Sequence, residues 1–267
     1  MDIHKPKPWH GVREFLKEYV IIVIGVLTAL GAEQLVETVH WAEKVERGKA
    51  HETTEMTSLY DTAYERIAIE PCLDRRLVQL SAALQAGDGR WTPLNPMTNP
   101  KLGEVAYFAP SRNWSEEFWK SLIADGTANH LSDDDELRYS RVYAQVATIR
   151  AANALEVEAM EDLSVLQVPT VLTRPERNEL INRIGRLRQM NQRMSLMAQQ
   201  ITGNIDKAAK VDKPKARAWF EKNSYMPKAC AALGLSLAPA PDLAPTPAVP
   251  STEVDRNGVA LPHPQGG

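Results

Sequence analysis

The strongest pattern in the chain is an apolar run close to its beginning. The fourteen residues 19–32 include no charged side chain, and as a helix they extend about 21 Å. The hydrocarbon core of a bilayer is about 30 Å thick, so the run alone is short. Apolar residues on both flanks lengthen it, namely Phe15, Leu16, Leu35, Val36 and Val39. The pattern predicts a transmembrane helix over residues 15–39.

A cleaved signal peptide is the first alternative to an anchor. Basic residues precede the run, and Ala29-Leu30-Gly31 resembles a small-x-small cleavage pattern. Against cleavage, no proline interrupts residues 12–70, so the same helix is expected to run through the cut position. A buried core helix of a soluble protein is the second alternative. Trp9 and Trp41 bracket the run about 48 Å apart as helix, close to the membrane thickness including headgroups, which favours the uncleaved span.

The basic residues around the run indicate its orientation. Four Lys and Arg residues precede it (Lys5, Lys7, Arg13 and Lys17), and two follow it within fifteen residues (Lys44 and Arg47). Positive charge is retained on the cytoplasmic side of a membrane. We therefore expect residues 1–18 to form a short cytoplasmic tail and the bulk of the chain to lie outside the cytoplasm.

Helical periodicity dominates the rest of the chain. Residues 40–70 are predicted to form a helical stalk, polar all round over residues 46–55 and apolar on one face from Met56 onward. Pro71 is expected to break this helix. Capping boxes at Ser132 and Thr173 predict the starts of two long helices. A short helix is expected to present Trp114, Phe118, Leu122 and Ile123 on one face. The fold class is mainly α, with a helical bundle domain over residues 71–237.

Two segments depart from helical periodicity. Residues 87–112 contain four prolines and predict a long ordered loop, whose aromatic residues Trp91, Tyr107 and Phe108 either pin it to the helices or form a binding lip. Residues 238–267 contain seven of the 18 prolines. This composition predicts a disordered, partly polyproline tail.

Composition and motifs exclude several classes of function. A net charge of -3 and a pI near 6.1 do not provide the basic face that nucleic-acid binding requires. The sequence has no phosphate-binding loop, dinucleotide fingerprint, nucleophile elbow or zinc-protease motif. No catalytic residue, cofactor or metal ligand is predicted from motifs.

Whether the two cysteines of the chain are paired or free depends on the compartment. Outside the cytoplasm, Cys72 and Cys230 favour a disulfide. The alternative is two separate buried thiols. A catalytic thiol is least favoured, because neither cysteine lies in a CxxC motif or near a histidine in sequence.

Two further groups of residues are candidates for interactions. Gly25, Ala29 and Ala32 follow the small-residue spacing that lets two transmembrane helices pack closely. Self-association through the span is therefore a candidate interaction. His130 with Asp133–Glu136 offers nitrogen and oxygen ligands for a metal. The same acids are also favoured at a helix start, and that interpretation already explains them.

The N-terminal residues resemble a known group of proteins. Trp9, "REFLKE" (13–18), "IIVIGVLTAL" (21–30) and "EQ" (33–34) resemble the start of an uncharacterised family of bacterial membrane-anchored proteins, a domain of unknown function. The resemblance covers Trp9 to Trp41, with a looser likeness at Pro71-Cys72 and "DGTANHLS" (125–132). It implies a single inner-membrane anchor and a helical periplasmic part, and no known activity.

These observations favour a binding function over an enzymatic one. The preferred hypothesis is an anchored scaffold or a subunit of a membrane complex, with the membrane, a second copy and unknown proteins as partners. The alternative is an anchored ligand sensor or hydrolase that uses the 87–112 loop, Trp114, His130 and Asp133–Glu136.

Overall fold

A single helix of 75 residues, α1, opens the described part of the chain and passes through the whole domain. The computed structural model describes residues 11–239. The predictions for residues 1–10 of the cytoplasmic tail and for residues 240–267 of the proline-rich tail therefore lie outside the described residues.

The remaining elements follow α1 in chain order. The elements, each with its bounds, are α1 (Val12–Ala86), β1 (Arg90–Trp91), β2 (Met97–Asn99), β3 (Gly103–Val105), α2 (Glu117–Ala124), α3 (Asp133–Glu161), β4 (Thr170–Val171), α4 (Arg174–Ala208), α5 (Lys213–Asn223) and α6 (Met226–Ala232). Two 3₁₀ turns, Thr127–His130 and Ser164–Gln167, flank α3. The fold of the described residues is mainly helical, as the periodicity predicts.

Three long helices form the core of the bundle. Helices α1 and α3 are parallel, because the residue numbers of their contacting pairs increase in the same direction. Tyr143 contacts Glu52, and Glu156 contacts Arg66. Helix α4 runs the other way, because Arg177 contacts Gly87 whereas Asn191 contacts Glu70. Its predicted apolar stripe is buried throughout, at Leu180, Ile184, Leu187, Met194, Ile201 and Ile205.

Both predicted helix starts are confirmed. The Ser132 hydroxyl accepts a hydrogen bond from the backbone N–H of Asp135, 3.2 Å away, at the start of α3. At the start of α4, Thr173 accepts from the backbone of Glu176, and the Glu176 carboxylate accepts from the backbone of Thr173 at 2.7 Å. These reciprocal bonds satisfy backbone donors that have no partner within the helix.

The loop of residues 87–112 is held against the helices. It contains the short antiparallel pair β2–β3, and its β1 pairs with β4. Trp91, Tyr107 and Phe108 are buried, and the Trp91 indole N–H donates to the carbonyl of Leu166 at 3.0 Å. The pinning interpretation is therefore confirmed for these three aromatic residues, because a binding lip would leave them exposed.

The predicted helix break at Pro71 is wrong. Helix α1 continues through Pro71 to Ala86, although proline removes one backbone hydrogen bond and costs about 3 kcal/mol inside a helix. Buried residues on both sides hold the helix in place: Ala68, Ile69, Cys72 and Leu73. Tertiary packing here outweighs the local preference.

The predicted stalk is also corrected. The side chains of Glu52 and Glu55 are 0% and 5% exposed, so residues 46–55 are not surrounded by solvent. Contacts between α1 and the bundle begin at Trp41, which stacks on His130. One face of residues 41–70 therefore packs in the bundle, with Glu52 and Glu55 among its buried positions.

The buried face of the short helix α2 was predicted in part, since Trp114 and Leu122 are buried as expected. Trp119 and Leu122 are buried, whereas Phe118 and Ile123 are 42% and 54% exposed, and Trp114 precedes the helix. The Glu55 carboxylate accepts the backbone N–H of Glu117 at 3.0 Å and sets where the helix begins.

A disulfide joins the distal part of α1 to the end of the chain. Cys72 forms a disulfide with Cys230 of α6, with Cα atoms 6.0 Å apart and a sequence separation of 158. Both cysteines are fully buried. In the chain-entropy model, a loop of this size stabilises the fold by at most about 5 kcal/mol.

Removing this disulfide should lower stability strongly. We expect the double variant Cys72→Ser/Cys230→Ser to unfold at a clearly lower temperature, because its unfolded chain is no longer constrained. Thiol titration of the unreduced, denatured protein should detect no free thiol, and two after reduction. Two reactive thiols before reduction would contradict the pairing, and the single variant Cys230→Ser, with one free thiol, calibrates the titration.

Candidate functional site

The apolar segment of α1 lies outside the bundle. An 18-residue window of this helix has a mean hydropathy of 2.0, and none of it is buried. The hydroxyls of Thr28 and Thr38 each donate to a carbonyl one turn earlier, at 2.8 Å, so the helix itself satisfies these groups. By length and composition this is one candidate transmembrane or signal-anchor helix.

The three small residues of this segment share one helix face. Gly25, Ala29 and Ala32 are spaced four and three residues apart, and all are exposed. A methyl group added at Gly25 would meet no atom within 4 Å. Packing within the chain therefore does not require glycine at this position, and the face is open to another helix.

Directly beyond the apolar segment, α1 meets the turn that follows α2. The Trp41 and His130 rings stack with centroids 3.9 Å apart, and Lys44 lies 4.7 Å from the Trp41 ring. Lys44 also pairs with Asp125 at 3.2 Å. We call this region, residues 41–49 of α1 with residues 125–135, the junction. It places the bundle immediately next to the apolar segment.

The predicted metal ligands lie in this junction but do not converge. His130 stacks on Trp41, Asp134 pairs with Arg138, and Asp135 pairs with Lys49 at 2.8 Å. Within residues 11–239, no group of three His, Cys, Asp or Glu side chains is arranged to hold a metal ion. The acids open α3, as the helix-start interpretation predicts.

A buried pair of acids lies between α1, α2 and α3, and the sequence analysis missed it. The Tyr143 hydroxyl lies within hydrogen-bond distance of both carboxyl groups, contacting Glu52 Oε2 and, at 3.0 Å, Glu55 Oε2. We call Glu52, Glu55 and Tyr143 the acid–tyrosine cluster. The Tyr143 ring also stacks on Trp119, with centroids 5.7 Å apart, so the cluster is closed on that side by an aromatic side chain.

The two acids of the cluster have different surroundings. Glu55 Oε1 accepts hydrogen bonds from the Ser115 hydroxyl at 2.5 Å and from the backbone N–H of Glu117 at 3.0 Å. Glu52 Oε1 is buried without a hydrogen-bond partner. Burial, opposed in part by the Tyr143 hydrogen bond and reinforced by Glu55, raises the pKa of Glu52 to about 7.

A sequence signal for this pair does exist. Glu52 and Glu55 lie four and one residues before Met56, and with Leu59 and Ala63 they continue the same helical stripe toward the membrane. Extending that stripe backward would have placed both acids on the buried face. Their charge hid them, because glutamate is rarely fully buried.

A second polar layer crosses the middle of the bundle. Arg66 Nη2 donates to Glu156 Oε1 at 2.5 Å and to Asn191 Oδ1 at 3.0 Å, which links α1, α3 and α4. Arg112 binds Glu65 through two nitrogens, at 2.5 and 2.7 Å. The adjoining cavity of about 10 Å³ has room for about one water molecule and is too small for a substrate.

Arg76 of α1 holds the loop of residues 87–112 by hydrogen bonds. This buried residue of α1 donates to the carbonyls of Ala106 and Asn95, each at 2.8 Å. Trp114 is likewise buried. The loop and Trp114, which the sequence analysis raised as parts of a ligand site, therefore serve packing in the described structure.

Comparison of the chain with protein-family models, curated proteins and solved structures finds no match.

Removal of a buried charge should test the polar layer. Arg66→Ala leaves the Glu156 carboxylate buried and unpaired, so we expect a loss of about 3–5 kcal/mol in the free energy of unfolding. Chemical denaturation of the purified protein measures it. The control Arg217→Ala removes an exposed pair with Glu221 and should leave the unfolding midpoint unchanged. Equal effects of both substitutions would contradict the role of the layer.

Proposed function

We propose that this protein is a single-pass membrane protein whose helical domain acts by binding, as a scaffold or a subunit of a membrane complex. The observation that carries the proposal is the continuity of α1. One helix contains the unburied apolar segment and, without interruption, the central helix of the bundle. Such a helix transmits the position and tilt of the anchor directly to the domain.

An uncleaved anchor is favoured over a cleaved signal peptide. The helix extends through residues 29–31, whereas a peptidase needs its cut site in an extended segment. Trp41 at the end of the apolar segment suits the membrane interface. The resemblance of residues 9–41 to bacterial membrane-anchored proteins supports the same interpretation.

An extracytoplasmic domain agrees with two features. More basic residues precede the apolar segment than follow it closely, which favours a cytoplasmic N-terminus. The Cys72–Cys230 disulfide suits an oxidising compartment. We therefore propose the bacterial inner membrane as the location, with the bundle in the periplasm.

Binding is favoured over catalysis by what the described residues bring together. Buried polar groups such as Arg66 and Tyr143 bridge helices to one another, and the metal-ligand candidates around His130 are engaged in stacking and ion pairs. The alternative of an anchored sensor or hydrolase that uses residues 87–112 has less support, because the aromatic side chains of that loop are buried.

Topology and membrane retention can be tested together. Alkaline phosphatase fused after Leu237 should be active in a bacterial host, because it is active only outside the cytoplasm, and the intact N-terminally tagged chain should pellet with membranes. Green fluorescent protein at the same position should stay dark. A matched variant, Ile22→Lys/Leu27→Lys, should lose membrane retention, since each charge costs about 2.5–3.5 kcal/mol at the centre of a span. A shortened, soluble wild-type product would instead establish a cleaved signal peptide.

Self-association through the span can be tested with the small-residue face. We expect Gly25→Ile to reduce crosslinked dimer in membranes several-fold, because the larger side chain prevents close helix approach. Leu27→Ile, which conserves volume on the opposite face, should leave the dimer unchanged. Equal crosslinking in all three proteins would exclude this face as the dimer contact.

A further inference from the structure

If both acids of the acid–tyrosine cluster were ionised, the cluster would have one proton, that of the Tyr143 hydroxyl, for two hydrogen-bond contacts. The Tyr143 oxygen lies within hydrogen-bond distance of a carboxyl oxygen of both Glu52 and Glu55. A tyrosine hydroxyl has one proton to donate, and an ionised carboxylate only accepts. One hydroxyl proton can serve both carboxylates only as a shared, weakened three-centre bond, whereas two full hydrogen bonds form when one acid carries a proton and donates it to the tyrosine oxygen.

The surroundings identify Glu52 as the acid that carries the proton. Glu55 accepts from the Ser115 hydroxyl and the backbone N–H of Glu117, and such donors stabilise a charged carboxylate. Glu52 has a buried oxygen without a partner, which is costly for a charged group. The resulting chain of donors runs from Glu52 to Tyr143 and from Tyr143 to Glu55.

No positive charge compensates an ionised Glu52. The titratable groups that face it are Glu55 on α1 and Tyr139 and Tyr143 on α3. From α2 the cluster receives a backbone N–H and the Trp119 ring, which packs on both tyrosines. Within the described residues, Glu52 forms no ion pair with lysine or arginine, and the nearby Lys49 pairs with Asp135.

Near neutral pH, Glu52 is the member of this cluster that can change its charge. Burial raises the pKa of Tyr139 to about 12 and also raises that of Tyr143, so both remain protonated. The pKa of Glu52, about 7, agrees with the hydrogen-bond count.

We propose that the acid–tyrosine cluster is a proton-binding site, in which Glu52 holds one proton under mildly acidic conditions and releases it as the pH rises through neutrality. Release leaves two buried carboxylates with one hydroxyl proton between them, which weakens the contact of α1 with α2 and α3. Glu52 lies 13 residues beyond Val39, about 20 Å along α1. The use of this site as a sensor of external pH rests on the proposed extracytoplasmic location, whereas proton binding itself does not.

The sign of the pH effect follows from linkage. An unfolded glutamate loses its proton near pH 4.5, and folded Glu52 keeps it to about pH 7. Between these values the folded chain binds more protons than the unfolded chain, so the contribution of Glu52 to stability is complete below pH 4.5 and falls as pH rises to about 7. Asp61, whose pKa is raised to about 6, and Glu70, whose pKa is also raised, act in the same direction.

A matched variant separates Glu52 from these other acids. Glutamine has the shape of a protonated glutamate and cannot ionise, so Glu52→Gln should match the wild type in unfolding temperature at pH 4 and become progressively more stable than it as the pH rises to about 7. The full-length chain in detergent micelles is measured in both forms. Parallel pH profiles for the two proteins would overturn the proposal.

A direct titration keeps the test independent of how the variant folds. In protein labelled with ¹³C at glutamate carboxyl groups, the Glu52 signal is assigned by its loss in Glu52→Gln and should titrate with a midpoint about two pH units above that of an exposed glutamate. A midpoint below pH 5 would overturn the proposal. Glu55→Gln should lower the unfolding temperature, because one acceptor oxygen then remains in place of the two that accept from Tyr143, Ser115 and the backbone N–H of Glu117. Since none of these readouts depends on topology, failure here leaves the anchor proposal untouched, and the reverse also holds.

Discussion

The structure depends on one helix whose backbone hydrogen bonds continue from the apolar segment into the bundle core. A helix satisfies its own backbone groups, so the same element suits a hydrocarbon environment at one end and a packed interior at the other. In α1 the change between these environments takes place over little more than two turns, from Val39 to Gly48, the first buried residue. Among the described residues, α1 therefore joins the apolar segment to the domain without a break.

Two buried polar layers and the buried Arg76 determine how the other helices and the 87–112 loop attach to α1. The acid–tyrosine cluster lies nearest the apolar segment, Arg66 with Glu156 and Asn191 lies in the middle, and Arg76 holds the distal loop. Apolar faces alone tolerate sliding by a turn, whereas a buried charge without its partner costs several kcal/mol. The layers therefore specify the register of α3 and α4 along α1.

The elements predictable from sequence are those specified by local pattern. The start of α4, its capping box and its six buried stripe residues follow from spacing alone, as does the apolar segment. The continuation of α1 through Pro71 was missed because packing against residues distant in sequence holds it. The burial of Glu52 and Glu55 was missed because glutamate is rarely fully buried, although both acids continue the apolar stripe. Pro71 is held by packing against other helices, and Glu55 finds its donors in Ser115 and Glu117, about sixty residues later. Nothing near these positions in the sequence reveals such partners.

The two ends of the bundle are held by different interactions. The acid–tyrosine cluster lies near the end that has no disulfide. The distal end has a disulfide and the buried Arg76 contacts. The junction depends on the Trp41–His130 stack and on partly exposed ion pairs such as Lys44–Asp125 and Lys49–Asp135, each worth about 0–1 kcal/mol. A change of one charge at Glu52 therefore acts near the junction, next to the apolar segment of α1. The same change beside Cys72 would be resisted by a covalent bond.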